Sequence, residues 1–141
     1  MYDILKIFAS QQRSFSCFCS QYSVGIVMEH IKTLFYKEYF DEDGFLHKQW
    51  RDYDGNLHRE DGPCWIICEP NGLVFYEEFY IGGIRHNTNG PAAISYNDDG
   101  SISMETFFIS GIHHSFWDFW DKLSEEERKK PDILKCLVRY S

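Results

Sequence analysis

Short runs of β-branched and aromatic residues alternate with polar, glycine-centred clusters through the middle of this chain. Cys64-Trp65-Ile66-Ile67-Cys68 and Ala92-Ala93-Ile94-Ser95-Tyr96 are two such runs, too short for helices and rich in residues that favour strands. Each leads into a turn cluster: Glu69-Pro70-Asn71-Gly72 and Asn97-Asp98-Asp99-Gly100, with Asp41-Glu42-Asp43-Gly44 as an earlier copy. Asn-Gly and Asp-Gly tolerate the positive φ that hairpin turns require. A longer run then returns, as in Leu73-Val74-Phe75-Tyr76-Glu77-Glu78-Phe79-Tyr80-Ile81. Both of its alternate phases are apolar, so either both faces of the strand are partly covered or one stays exposed.

The clusters recur at a fixed interval. Gly44, Gly72 and Gly100 are 28 residues apart, as are Gly55, Gly83 and Gly111, and His58, His86 and His114. Gly62-Pro63 returns as Gly90-Pro91. A shared period in independent markers predicts one β-hairpin per repeat, three in all, with hairpins pairing edge to edge because a lone hairpin is barely stable. The expected fold class is mainly β: an elongated antiparallel sheet of tandem 28-residue hairpins over residues 36–114, flanked by N- and C-terminal helices.

The flanks have helical spacing. Val24, Val27, Met28, Ile31, Leu34 and Phe35 fall on one stripe, which predicts a partly helical N-terminal segment within residues 1–35, loosely ordered in its first part. Residues 115–141 read as a helical cap. Ser115 and Ser124, each followed three residues later by an acidic residue, mark two helix starts, and Pro131 breaks or restarts the second helix. Phe116, Trp117, Phe119, Trp120 and Leu123 supply the surface that covers the open end of the array.

Composition narrows the chemistry. The chain has 141 residues and a formal net charge of -8, and 18% of its residues are aromatic. Residues 37–115 carry 14 Asp and Glu against 5 Lys and Arg, which argues against nucleic acid as a partner. The longest uncharged stretch, Ser14 to Met28, is 15 residues, short of the roughly 20 a membrane helix needs. No secretory leader is evident. The odd set Cys17, Cys19, Cys64, Cys68 and Cys136 has no disulfide-framework spacing, which favours a reducing, cytoplasmic setting.

The histidine ladder invites a metal reading, but equivalent positions two strands apart lie about 9.5 Å apart. That is too far for one zinc ion. A structural role is expected for His58, His86 and His114, with a ring nitrogen satisfying a backbone group. No metal, cofactor or catalytic residue is assigned. The alternatives are a small hydrolase or metal-binding protein using His86 with His113 or His114, and a membrane-surface module, which the acidity disfavours. Trp50, Trp65, Tyr76, Tyr80 and Phe108 are the candidate protein-binding residues, since exposed aromatics carry interface energy. Another protein, or a second copy of the chain, is the expected partner.

Gly55-Asn56-Leu57-His58-Arg59-Glu60-Asp61-Gly62-Pro63 resembles the G-x-x-H-R-x-D-G-P-A motif of MORN-like repeat proteins, which occur in large double-stranded DNA viruses, tailed phages and some bacteria. The second copy keeps Gly83, His86, Gly90, Pro91 and Ala92 but has Asn87 and Asn89 at the Arg and Asp positions. The resemblance implies a hairpin ribbon that serves as a scaffold or binding surface; the expectation of a non-enzymatic module comes from repeat regularity without a convergent catalytic set. A viral source would place it in the host cytoplasm or the virion.

Overall fold

The computed structural model describes residues 22–29 and 32–141. The fold is mainly β. Strands β1 (Tyr22–Glu29), β2 (Lys32–Phe40), β3 (Leu46–Arg51), β4 (Trp65–Cys68), β5 (Val74–Glu78), β8 (Ala93–Tyr96), β9 (Ile102–Ile109) and β10 (Ile112–His114) form one open antiparallel sheet in that order. A small separate hairpin, β6 (Tyr80–Ile81) with β7 (Ile84–Arg85), lies between β5 and β8 in the chain. Helices α1 (Phe116–Lys122), α2 (Glu125–Arg128) and α3 (Pro131–Tyr140) close the C-terminal end.

The expected N-terminal helix is not there. Val24, Val27 and Met28 lie in β1, and Leu34 and Phe35 in β2, which pair from Tyr22↔Tyr39 to Glu29↔Lys32. The segment is dense in β-branched residues and carries Gly25, both unfavourable in a helix interior. An apolar stripe at helical spacing also fits alternation when apolar residues are this frequent. The loosely ordered first part of the N-terminal segment, with Cys17 and Cys19, lies outside the described residues.

Three wide hairpins, β2–β3, β4–β5 and β8–β9, carry the repeat. Each turn closes alike: the N–H of Gly44, Gly72 and Gly100 donates to the carbonyl of Asp41, Glu69 and Asn97, at 3.1, 2.8 and 2.8 Å. The units differ in one respect. β4–β5 and β8–β9 carry a bulge, at the Ile67/Cys68 and Ser95/Tyr96 steps, whereas β2–β3 pairs without one. Beyond the turn, sequence positions 28 apart are therefore out of phase by one residue in β3. Gln49 takes the place of Glu78 rather than Glu77, and both are buried. A one-residue slip moves a side chain to the other face.

Each connection folds into a small second hairpin, and these second hairpins lock neighbouring repeats together. The Arg59 N–H donates to the Tyr80 carbonyl at 3.2 Å, and Asn87 repeats this with Phe108 at 3.1 Å. The Gly83 N–H reaches Leu57 O at 2.9 Å, as Gly111 reaches Arg85 O at 2.9 Å. His58 Nδ1 accepts from the Gly82 N–H at 2.9 Å and His86 Nδ1 from the Ser110 N–H at 3.0 Å. Every bond of the first junction recurs 28 residues later in the second. His114 stands where the series ends, and the chain turns at Ser115 into α1.

The Gly-Pro corners are tied within their own unit. Arg59 donates to Asp61 and to the Pro63 carbonyl, at 2.8 and 3.4 Å. In the next unit the Asn87 side chain donates to Pro91 O and accepts from the Asn89 N–H, both at 2.8 Å. The substitution of Asn for Arg thus preserves the loop closure with different atoms.

The hydrophobic core sits under the helices, not at the centre of the sheet. Phe107 packs with Phe116, Phe119, Leu123, Ile133 and Cys136, all buried. Ser115 caps α1 by accepting from the Asp118 N–H, Ser124 and Glu127 form a capping box on α2, and Pro131 opens α3. None of the described helices is long and apolar enough to cross a membrane.

Gly83 shows how closely the junction fits. Its φ is +77°, and a Cβ there would stand 3.2 Å from the Asn56 side chain, whereas Gly55, at φ +83°, faces open space. Gly83→Ala should destabilise by about 2 kcal/mol and Gly55→Ala by about 1 kcal/mol, since only the first adds a clash to left-handed strain. Thermal or urea denaturation of the two variants checks the order.

Candidate functional site

The pairing registers sort the side chains onto two faces. On the front face a cross-strand row near the turns runs Phe40, Leu46, Cys68 and Val74, and continues as Tyr96 and Ile102. Phe40, Val74 and Ile102 are exposed, as are neighbouring Leu73 and Phe75. The next front row runs Glu38, Lys48, Ile66, Glu77, Ile94 and Glu105. The back face carries Tyr39, His47, Ile67, Tyr76, Ser95 and Met104 in one row, and Gln49, Trp65, Glu78, Ala93 and Thr106 in the next.

The five candidate aromatics divide between the faces. Trp50 is on the front, half-buried beneath the Arg59 guanidinium, 4.3 Å from its ring centroid. Trp65, Tyr76, Tyr80 and Phe108 are on the back and half-buried. Tyr80 and Phe108 flank Arg85, whose guanidinium lies 5.5 and 4.9 Å from the two rings. Arg85 forms an ion pair with Glu78, whose side chain is only 4% exposed. The Tyr76 hydroxyl donates to the same carboxylate at 2.7 Å. Burial, followed by this bond and the Glu78 charge, pushes the Tyr76 phenol far above its ordinary value.

Trp65 belongs to a second polar chain. Its indole Nε1–H donates to His47 Nδ1 at 3.2 Å, and His47 Nε2 meets Asp41 at 2.9 Å. An indole can only donate, so His47 Nε2 carries the proton and donates to Asp41. Tyr39 stacks on His47 with centroids 4.9 Å apart.

The front face also holds a groove of about 620 Å³. Its floor crosses β5, β8 and β9 at Glu77, Ile94, Tyr96, Ile102 and Glu105, and its rims are the 59–63 and 86–91 corners and helix α3. The Gly-Pro corners of two successive repeats thus become the walls of one cleft. Arg139 closes the α3 side through an ion pair with Glu105, whose side chain is 4% exposed. The Tyr96 hydroxyl donates to Glu77 at 2.7 Å.

Sequence reasoning did not place Glu77 and Glu105 on one face or bring Arg139 and Lys135 to the cleft. The signal available was their 28-residue spacing across Ile94, which implies a shared face when both strands carry the same bulge. The tail cations gave no such signal, because nothing in α3 repeats.

The histidines do not converge. His58 and His86 are held at successive junctions by backbone donors, and His113 packs edge-on against Phe108 at 5.2 Å. Among the described residues no three of His, Cys, Asp and Glu stand together in a metal-ligand group. Cys64, Cys68 and Cys136 are free and buried. Burial pushes the Cys64 and Cys136 thiols up to about 11, which keeps both protonated and unreactive near neutral pH.

Comparison with known proteins gives no match to a family model, to a curated protein or to a solved structure.

Two expectations test these electrostatics. Arg85→Met strands the buried Glu78 carboxylate and should cost about 3–5 kcal/mol. Adding Glu78→Gln should recover part of that loss in urea denaturation. Acid should also destabilise the fold. Hydrogen bonds from Arg59 hold Asp61 below the usual carboxylate range, and the Ser124 N–H does the same for Glu127. A carboxyl depressed in the folded state binds fewer protons than in the unfolded chain. Its stabilisation is therefore complete above the unfolded value, about pH 4, and is lost as pH falls through the folded one. Melting temperatures measured against pH should show the gap between wild type and Asp61→Asn closing in acid.

Proposed function

We propose that this chain is a non-enzymatic, MORN-like repeat scaffold whose front sheet face receives another protein. The observation that supports this reading is the cross-strand apolar row, left partly exposed at Phe40, Val74 and Ile102 on a sheet whose main core lies elsewhere. Phe40 is 55% and Val74 38% exposed in a row that runs from β2 to β9, with Phe75 beside it 42% exposed; within the row Cys68 is buried. Contiguous apolar surface of this kind marks interaction sites on soluble proteins. Acidic turn residues, among them Glu42, Asp43, Asp98 and Asp99, rim it.

The repeat explains why a scaffold needs no larger core. Junction hydrogen bonds and buried small residues such as Cys64 and Ala92 hold successive hairpins in register. The front side chains are then free to vary without loss of the ribbon.

A photo-crosslinker tests the reading. p-Benzoylphenylalanine at position 74, in the apolar row, should capture one identified partner protein or a second copy of the chain in the source cell. The same group at position 138, where Val138 is 79% exposed on α3, should not. Equal labelling at both positions, or none at 74 in folded protein, would overturn it.

A further inference from the structure

We propose that the front groove holds an extended, basic segment of the partner, with a Lys or Arg side chain seated on Glu77. This rests on the interaction reading above and specifies its chemistry.

The ionic groups of the groove are nearly all paired. Arg59 bonds Asp61 at 2.8 Å, Lys135 bonds Asp132 at 2.8 Å, and Arg139 pairs with Glu105. Glu77 differs: its partner is the neutral Tyr96 hydroxyl, and no cation lies within 4.0 Å of it among the described residues. Its register neighbours on either side are Ile66 and Ile94. An anion beside apolar surface interacts more strongly with a cation than one in open water.

The shape fits a strand-like segment. The floor is a sheet face, the walls are the two Gly-Pro corners, and the floor includes Ile102 of the exposed apolar row. A chain lying along it would place alternate side chains toward the floor. Apolar positions would meet Phe79 and Ile94, and a basic position would meet Glu77. The acidity of residues 37–115 would draw such a segment in. A lone carboxylate without a second ligand group does not hold a metal ion, whereas a guanidinium or ammonium needs only one carboxylate.

Fluorescence anisotropy tests this with two labelled probes, Gly-Val-Ser-Lys-Ser-Val-Ser-Arg-Gly, whose Val and basic side chains share one face of an extended chain, and the same peptide with Glu at both basic positions. The basic probe should bind at micromolar concentration and the acidic one about tenfold more weakly or less. Glu77→Gln should weaken the basic probe about fivefold, the size expected for losing one partly screened ion pair. Circular dichroism and melting temperature should stay the same. Asp121→Asn, an equal charge change at an exposed position on α1 outside the groove, should leave binding unaltered. Equal affinity for the two probes, equal effects of the two substitutions, or no binding at about 1 mM would overturn the inference. If the probe fails while crosslinking at position 74 still captures a partner, the basic-segment inference falls and the interaction reading stands. If the probe binds through Glu77 while crosslinking is empty, the inference stands and the apolar row is not the partner's main contact.

Discussion

A backbone N–H donated to a histidine ring from the next repeat is the contact on which the rest of this structure depends. His58 Nδ1 takes the Gly82 N–H and His86 Nδ1 the Ser110 N–H. Each bond spans 24 residues and ties one connection to the following one. Gly82 and Ser110 are exposed, so these bonds act by fixing one connection against the next rather than by rescuing buried amides. With the paired Arg59–Tyr80 and Asn87–Phe108 backbone bonds, the junction sets the offset between hairpins. That offset brings the Gly-Pro corners of two repeats to the same side of the sheet, where they wall the groove.

The period was legible because it was written in residues with few substitutes. A left-handed turn position takes glycine, a corner that stops strand pairing takes proline, and a ring acceptor at the junction takes histidine. The helical cap was legible for the same reason: Ser115, Ser124 and Pro131 mark helix starts by local chemistry. The N-terminal hairpin was not, since its apolar positions satisfy both periods and the pairing of β1 with β2 depends on a neighbour that local pattern does not show.

Side-chain direction was the harder part. The bulges in β4–β5 and β8–β9 are absent from β2–β3, and no residue type announces them. Position 49 therefore reads as the equivalent of Glu77 but sits on the face of Glu78. The same loss of phase separates Trp50 from Trp65, which repeat counting alone would not place on opposite faces. The Arg85–Glu78 pair was also hidden, although its surrounding rings, Tyr76, Tyr80 and Phe108, had drawn notice as aromatics. Their enrichment reflects in part the need to enclose a buried ion pair.

Nitrogen-15 NMR of the histidine rings tests the junction most directly. The account predicts that His58 and His86 carry their ring proton on Nε2, with Nδ1 shifted as a hydrogen-bond acceptor and coupled across the bond to the amides of Gly82 and Ser110. A proton on Nδ1 of either ring, or free tautomer exchange without that coupling, would contradict it.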